Sequence, residues 1–205
     1  NETPFGWRCG ISLWDVSAKA GIYNLELPLV SVIIPTYNRK DSLSLVLDSL
    51  ACQTYPLEQI EAIVVDDGGT DGTCEMIAQK DFAFSLHYAS QANQGATVAR
   101  NHGAEISHGQ YLVFVDDDIV LAATTLQHLL DDLILRHRTI VLGTLRLPAQ
   151  LVTRSRFANI TAQNLPRQHH TQEVPFQECM TGLLAIKKSD FFELGIFQDP
   201  TDGWP

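Results

Sequence analysis

Three short apolar runs, Val30–Ile34, Ile60–Val65 and Tyr111–Val115, constrain this chain more than any other feature. Each is five or six residues long, rich in Val, Ile or other large apolar groups, and shows no polar–apolar alternation. Strands covered on both faces have that pattern, as in a parallel sheet. Between the first two runs, Leu43, Val46, Leu47 and Leu50 mark one helical face, with Asp41 near its start. Between the second and third, Thr70-Asp71 predicts the start of a helix with Cys74, Ile77 and Ala78 as its buried stripe. A weaker strand is expected over Ser85–Ala89 and a helix over Ala96–Ser107, closed by Gly109. Leu126, Leu129, Leu130, Leu133 and Ile134 then predict an amphipathic helix, followed by a strand over Ile140–Leu145. The polar stretch 148–175, with Pro148, Pro166 and Pro175, is expected to be a long loop or lid. A last strand is expected over Thr181–Ile186, then a helix capped by Ser189, running to Leu194 and stopped by Gly195. Strands alternating with helices in this way predict an open α/β sheet.

In such sheets ligands bind beyond the carboxyl ends of the strands. The first run ends in Pro35-Thr36-Tyr37-Asn38, the second in Asp66-Asp67-Gly68-Gly69, the third in Asp116-Asp117-Asp118. If the strands are parallel neighbours, five carboxylates gather at one rim, where like charges raise each other's pKa unless a cation intervenes. Asp116 and Asp118 are two apart, so in an extended segment they point the same way and suit a hard divalent ion. The plainer alternative is that these acids decorate the start of a helix near Ala122. Asp66-Asp67 reads either as an acidic turn or as an acceptor for a nucleobase N–H, with Gly68 and Gly69 allowing close approach. Tyr37 is either an aromatic wall for a base or an ordinary turn tyrosine. Arg100 reads as the balance to the carboxylates and a grip for a diphosphate, against an exposed helical arginine. His102 reads as a solvated helix histidine rather than a metal or phosphate contact, and His169-His170 as plain surface.

Composition narrows the classes. With 14 Lys and Arg against 24 Asp and Glu, the net charge is −10, which disfavours nucleic-acid binding. Hydrophobic residues at 45% exclude wholesale disorder, and no apolar run approaches the roughly 20 residues of a membrane span. Cys9, Cys52, Cys74 and Cys179 are scattered without a C-x-x-C pair, so reduced thiols are expected rather than a zinc site. A cytoplasmic location, free or peripheral to a membrane, is the expectation. Asn159-Ile160-Thr161 matches a glycosylation sequon but carries no weight as a chance triplet. The start at Asn1 and the finish at Gly203-Trp204-Pro205 are expected to be those of a piece of a longer polypeptide.

Together, Val30-Ser31-Val32-Ile33-Ile34-Pro35-Thr36-Tyr37-Asn38 and Val64-Val65-Asp66-Asp67-Gly68-Gly69-Thr70-Asp71-Gly72-Thr73 resemble the opening of family 2 glycosyltransferases. Asn93-Gln94-Gly95 with Ala99-Arg100-Asn101 resembles the segment that follows, and Phe114-Val115-Asp116-Asp117-Asp118 resembles their D-x-D motif. The likeness is close over 29–125 and looser through Thr181–Ile186 and Phe191–Phe197. It implies a GT-A fold: a Rossmann-like open mixed sheet flanked by helices, here with its C-terminal acceptor part incomplete. It also implies metal-dependent, inverting transfer of a sugar from a nucleotide-diphosphate donor, with a UDP-sugar as the default, to an acceptor the sequence does not identify. Carried over, Pro35, Tyr37 and Asp67 would hold the base, and Arg100 the base or diphosphate. Asp116 and Asp117 would meet the ribose and nearby groups. Thr36, Asn38 and Asp66 complete the expected donor-binding set. Asp118, with Asp116, would hold manganese or magnesium. The general base is expected just beyond Pro205, since Asp199 and Asp202 match its motif poorly, and the 205-residue chain is therefore expected to turn over slowly. The implied division is an extension over 1–28, a nucleotide-sugar-binding half over 29–147, and a polar loop with the start of the acceptor half over 148–205.

Three rivals stand beside this. A dinucleotide-binding oxidoreductase lacks its G-x-G-x-x-G after the first strand. A magnesium-dependent phosphatase would have threonine where Val120 stands in D-x-D-x-T. A nucleotide-sugar-binding module, or an inactive fragment, needs no catalytic base.

Overall fold

Buried β-branched runs flanked by amphipathic helices leave the chain one economical solution, a sheet with helices on both faces. The computed structural model describes residues 27–135, 139–143 and 182–198. Its strands are β1 (Val30–Thr36), β2 (Ile60–Asp66), β3 (Ser85–Ser90), β4 (Tyr111–Val115), β5 (Ile140–Leu142) and β6 (Leu183–Lys187). Its helices are α1 (Lys40–Leu50), α2 (Thr73–Ala78), α3 (Ala96–Ile106), α4 (Thr125–Leu135) and α5 (Lys188–Glu193). The sheet order is β3-β2-β1-β4-β6-β5, with β1 to β4 mutually parallel and β6 antiparallel to both β4 and β5. This is the open mixed sheet expected. The order turns back between β1 and β4, so the carboxyl ends beside that junction are where a ligand belongs.

Register places those ends level. Val30 pairs with Ile60 and Thr36 with Asp66, while Val30 also faces Tyr111 and Ile33 faces Phe114. The β1–β4 ladder ends there, before Pro35, which has no N–H to give it. On one face Val30, Val32 and Ile34 pack with Leu43, Val46, Leu47 and Leu50 of α1 and Leu126, Leu129, Leu130 and Leu133 of α4. On the other, Ile33, Ile63, Val65, Leu112 and Phe114 meet Ala99 and Ala104 of α3 and Phe191 of α5. Each of the buried Val, Leu, Ile and Phe side chains contributes about 1.5–3 kcal/mol. Helix α3 lies so close to β1 that a Cβ on Gly103 would come 2.5 Å from Ile33 Cγ2.

Local details depart from expectation where tertiary packing overrides periodicity. In α2 the buried side chain is Thr73, with Met76 and Ile77 partly covered, whereas Cys74 and Ala78 are exposed. Ile134 is 48% exposed because the sheet is already covered by the other leucines of α4. Helix α4 starts at Thr125 rather than near Ala122, because the Gln53 side chain accepts from Leu126 N and donates to Ala122 O. Helix α5 starts at Lys188, and Ser189 caps nothing; its hydroxyl bonds Asp190 instead. Gly195 does stop α5: with φ at +94° it donates to Phe192 O while Ile196 N donates to Phe191 O, a Schellman ending. Cys9, Cys179, the sequon at Asn159, His169-His170, Asp199, Asp202, the polar stretch 148–175 and nearly all of the 1–28 extension lie outside the described residues.

Candidate functional site

Thr36, the last residue of β1, is 3% exposed and ties the rim together. Its carbonyl accepts Asp67 N–H at 2.9 Å, and its hydroxyl donates to Asp117 Oδ2 at 2.9 Å. The acidic tails of β2 and β4 therefore meet across the end of β1, as co-directional strands require. The turn after β1 is held in turn. Asn38 adopts φ +52°, a left-handed conformation that asparagine tolerates, and its Oδ1 accepts Thr70 N–H at 2.7 Å. Lys40 N–H donates to Asp71 Oδ2 at 2.7 Å. Tyr37, between these anchors, stands 49% exposed on the rim.

Asp66 and Asp67 are buried and turned to different loops. Asp66 accepts from Gly69 N–H at 2.7 Å and from the Tyr88 hydroxyl at 2.9 Å. Burial first, and this acid second, push the Tyr88 phenol up to about 12. Asp67 accepts from Gln91 Nε2, Gln94 N and Gly95 N at 2.8, 2.9 and 2.8 Å. A carboxylate thus sits at the N-terminus of α3, where the helix dipole favours it. The two glycines are needed by neighbouring loops: a Cβ on Gly68 would come 3.1 Å from Asn93 N, and one on Gly69 2.7 Å from Asp66 Oδ1.

Helix α3, so capped, carries Arg100 to the rim. Arg100 is 8% exposed, not the exposed helical arginine of the alternative, and its Nη2 donates to Asp116 Oδ1 at 2.5 Å. Its Nε is buried without a partner, one of two such side-chain atoms among the described residues. A buried charged donor left open beside an acidic rim calls for an anionic or carbonyl acceptor. On the same helix His102 is half-buried, its Nδ1 3.0 Å from Gln91 Oε1, and so is not the solvated histidine expected. Asn101 forms two bonds with the backbone of Phe197, holding the chain after α5 against α3.

The three consecutive acids differ in setting. Asp116 is paired with Arg100. Asp117 is buried; burial pushes its carboxyl up, against the Thr36 hydroxyl and the Arg39 guanidinium that favour ionisation. Asp118 is 55% exposed and commits one oxygen to Arg39 Nη1 at 2.8 Å. Helix α4 begins seven residues beyond Asp118 and has no acid in its first turn, which removes the helix-decoration alternative. Sequence reasoning missed Arg39 and Gln91. The available signals were a basic residue in the turn after β1 and a second amide close before Gln94.

Among the described residues no three His, Cys, Asp or Glu side chains are placed to hold a metal ion by themselves. The donors present are hard oxygens, one of them on the exposed Asp118. They fit a divalent cation that takes one or two protein carboxylates and completes its shell with water and phosphate.

Comparison with known proteins gives one consistent result. A family model described as "Glycosyl transferase family 2" matches residues 31–192. Glycosyltransferase AglE of Haloferax volcanii is 43% identical over 94 residues, which is 45% of this chain and 31% of that protein. Validoxylamine A glucosyltransferase of Streptomyces hygroscopicus subsp. jinggangensis is 38% identical over 107 residues, 51% and 25% of the two chains. The chain thus spans a quarter to a third of the length of these two relatives. Among solved structures, the mannosyltransferase PcManGT of Pyrobaculum calidifontis, in complex with GDP-Man and Mn2+, aligns with TM-score 0.63 at 25% identity, over 84% of this chain and 48% of that one. S. aureus TarS in complex with UDP-GlcNAc aligns with TM-score 0.52 at 27% identity, over 60% and 38%.

Proposed function

We propose, since the chain belongs to glycosyl transferase family 2, that its β1–β2–β4 rim binds the nucleoside diphosphate of a sugar donor with a divalent cation, for inverting transfer to an acceptor hydroxyl. Membership of this family leaves no place for the oxidoreductase and phosphatase rivals. The observation that carries the proposal is the tie at Thr36, which draws the Asp67 loop and the Asp116–Asp118 tail to one rim. Neighbours of the same fold whose complexes hold GDP-Man with Mn2+ and UDP-GlcNAc lend further support.

In this reading Pro35 and the exposed ring of Tyr37 offer a wall to the base. Asp67 takes a base N–H on the lone pair left at Oδ2, since an ionised carboxylate has about four acceptor positions. Thr36, Asn38 and Asp66 shape the floor by holding the two turns. Arg100 offers its open Nε to the diphosphate while Nη2 stays on Asp116. Asp116 and Asp117 lie toward the ribose, and Asp118, with Asp116, would hold manganese or magnesium. Once bound, the cation's charge stabilises the departing diphosphate. A general base must take the acceptor's proton, and it is proposed to follow Pro205. UDP is the proposed nucleotide.

The test is calorimetric titration of UDP into the chain with and without Mn2+. Binding that requires Mn2+ is expected. Equal binding without the metal, or none with it, sinks the proposal. Release of sugar from UDP-sugars by the longest available form of the protein separates a transferase from a binding module.

A further inference from the structure

We propose that Arg39 is the resident counter-charge of the Asp117–Asp118 pair, and that a divalent cation reaches Asp118 by displacing it. This rests on the metal-dependent donor reading above, and concerns what the rim does before donor arrives.

A single guanidinium nitrogen, Arg39 Nη1, lies 3.3 Å from Asp117 Oδ1 and 2.8 Å from Asp118 Oδ2. One positive charge thus bridges two adjacent carboxylates, in the kind of position a bridging cation would take. The two contacts differ in depth. Asp117 has a side chain only 9% exposed and also accepts from the Thr36 hydroxyl, so its contact with Arg39 is sheltered from water and is not its only one. Asp118 and Arg39 are 55% and 54% exposed, so their pairing is a water-competed contact worth little. The sheltered contact is long, at 3.3 Å, and the short one lies in water, which describes a place-holder rather than a permanent bridge.

The backbone supports the same role. Arg39 follows Asn38, fixed at φ +52° by the Asn38–Thr70 bond, and precedes Lys40, fixed by Asp71. The Cα of Arg39 is therefore held while its long side chain remains free to turn out. Arg100 is a different case: 8% exposed and already bound to Asp116, it cannot turn out to water without breaking a partly buried ion pair and leaving Asp116 unpaired. Among the described residues, Arg100 is thus the fixed cation of the rim and Arg39 the displaceable one.

The test titrates Mn2+ alone into the chain at low ionic strength, following the free-ion electron paramagnetic resonance signal. Wild type is compared with Arg39→Gln, Arg39→Met and Arg39→Lys, with folding checked by circular dichroism. Removing the competing charge should tighten Mn2+ binding about threefold to tenfold in both neutral variants, with Arg39→Lys near wild type. A merely structural role for Arg39 would weaken binding instead. Unchanged or weaker affinity in folded neutral variants overturns the inference while leaving the metal reading standing. No uptake by any form, with or without UDP, overturns the metal reading and the inference with it. Arg39→Met keeps the apolar stem, so it reports even if Arg39→Gln fails to fold.

Discussion

Two buried acids at opposite ends of the same sheet, Glu61 and Asp117, are treated in opposite ways. At the amino end, Glu61 of β2 is 3% exposed and fully engaged. It accepts from the Ser31 hydroxyl, from His108 N and from His108 Nδ1, and Ser31 Oγ itself accepts from Gly109 N. Burial alone would raise the Glu61 carboxyl, but these donors outweigh it and hold it below the usual carboxylate range. At the carboxyl end, Asp117 is pushed up by burial, Arg100 keeps an open buried Nε, and Asp118 stands half in water. A satisfied carboxylate locks strands and loops together. A rim left partly unsatisfied is held ready for something else.

The sharpest way to break this contrast is to empty the locked end. Glu61→Ala leaves the buried Ser31 hydroxyl without its acceptor beside a void and frees the His108 donors, and should cost about 3 kcal/mol in urea denaturation. Affinity of the remaining folded protein for UDP with Mn2+ should not change. Asp118→Ala is the converse: stability should stay within about 0.5 kcal/mol, while UDP affinity in Mn2+ falls about thirtyfold, roughly 2 kcal/mol. Should stability fall and affinity hold, the two ends would not differ as described. Arg100→Lys keeps the charge but loses the planar donor set, and a tenfold weaker diphosphate affinity, about 1.4 kcal/mol, is expected by calorimetry.

The smallest effect is in pH. The folded Glu61 pKa lies below its unfolded value, so its stabilisation is present above about pH 4.5 and is lost as pH falls through the folded pKa. Glu61→Gln should therefore flatten the acid limb of the stability–pH curve below about pH 4.5, read by urea denaturation across the acid range. An unaltered acid limb would mean that Glu61 is not the group responsible.

The strands were legible because doubly covered strands have to be apolar on both faces, and β1, β2 and β4 follow the three runs closely. Their acidic tails were legible for the same reason: a polar residue directly after a buried strand marks its carboxyl end. Arg39 was not legible, because its partners lie 78 and 79 residues away and its direction depends on the left-handed turn at Asn38. Nor was Glu61, an acid concealed inside an apolar run and explained by its registry with Ser31 and its bonds from His108. The edge helices were read less well. Cys74, Ala78 and Ile134 have helical periodicity, yet the sheet offers them no surface to cover.

The amino-acid sequence by itself determined that this chain builds a doubly covered sheet and that its acids follow strand ends, because both depend on patterns a few residues long. Only the tertiary structure decided which acids are satisfied, which arginine is fixed and which can leave. Those outcomes depend on distances of a few ångströms between residues far apart in the chain, and on how much water each pairing excludes.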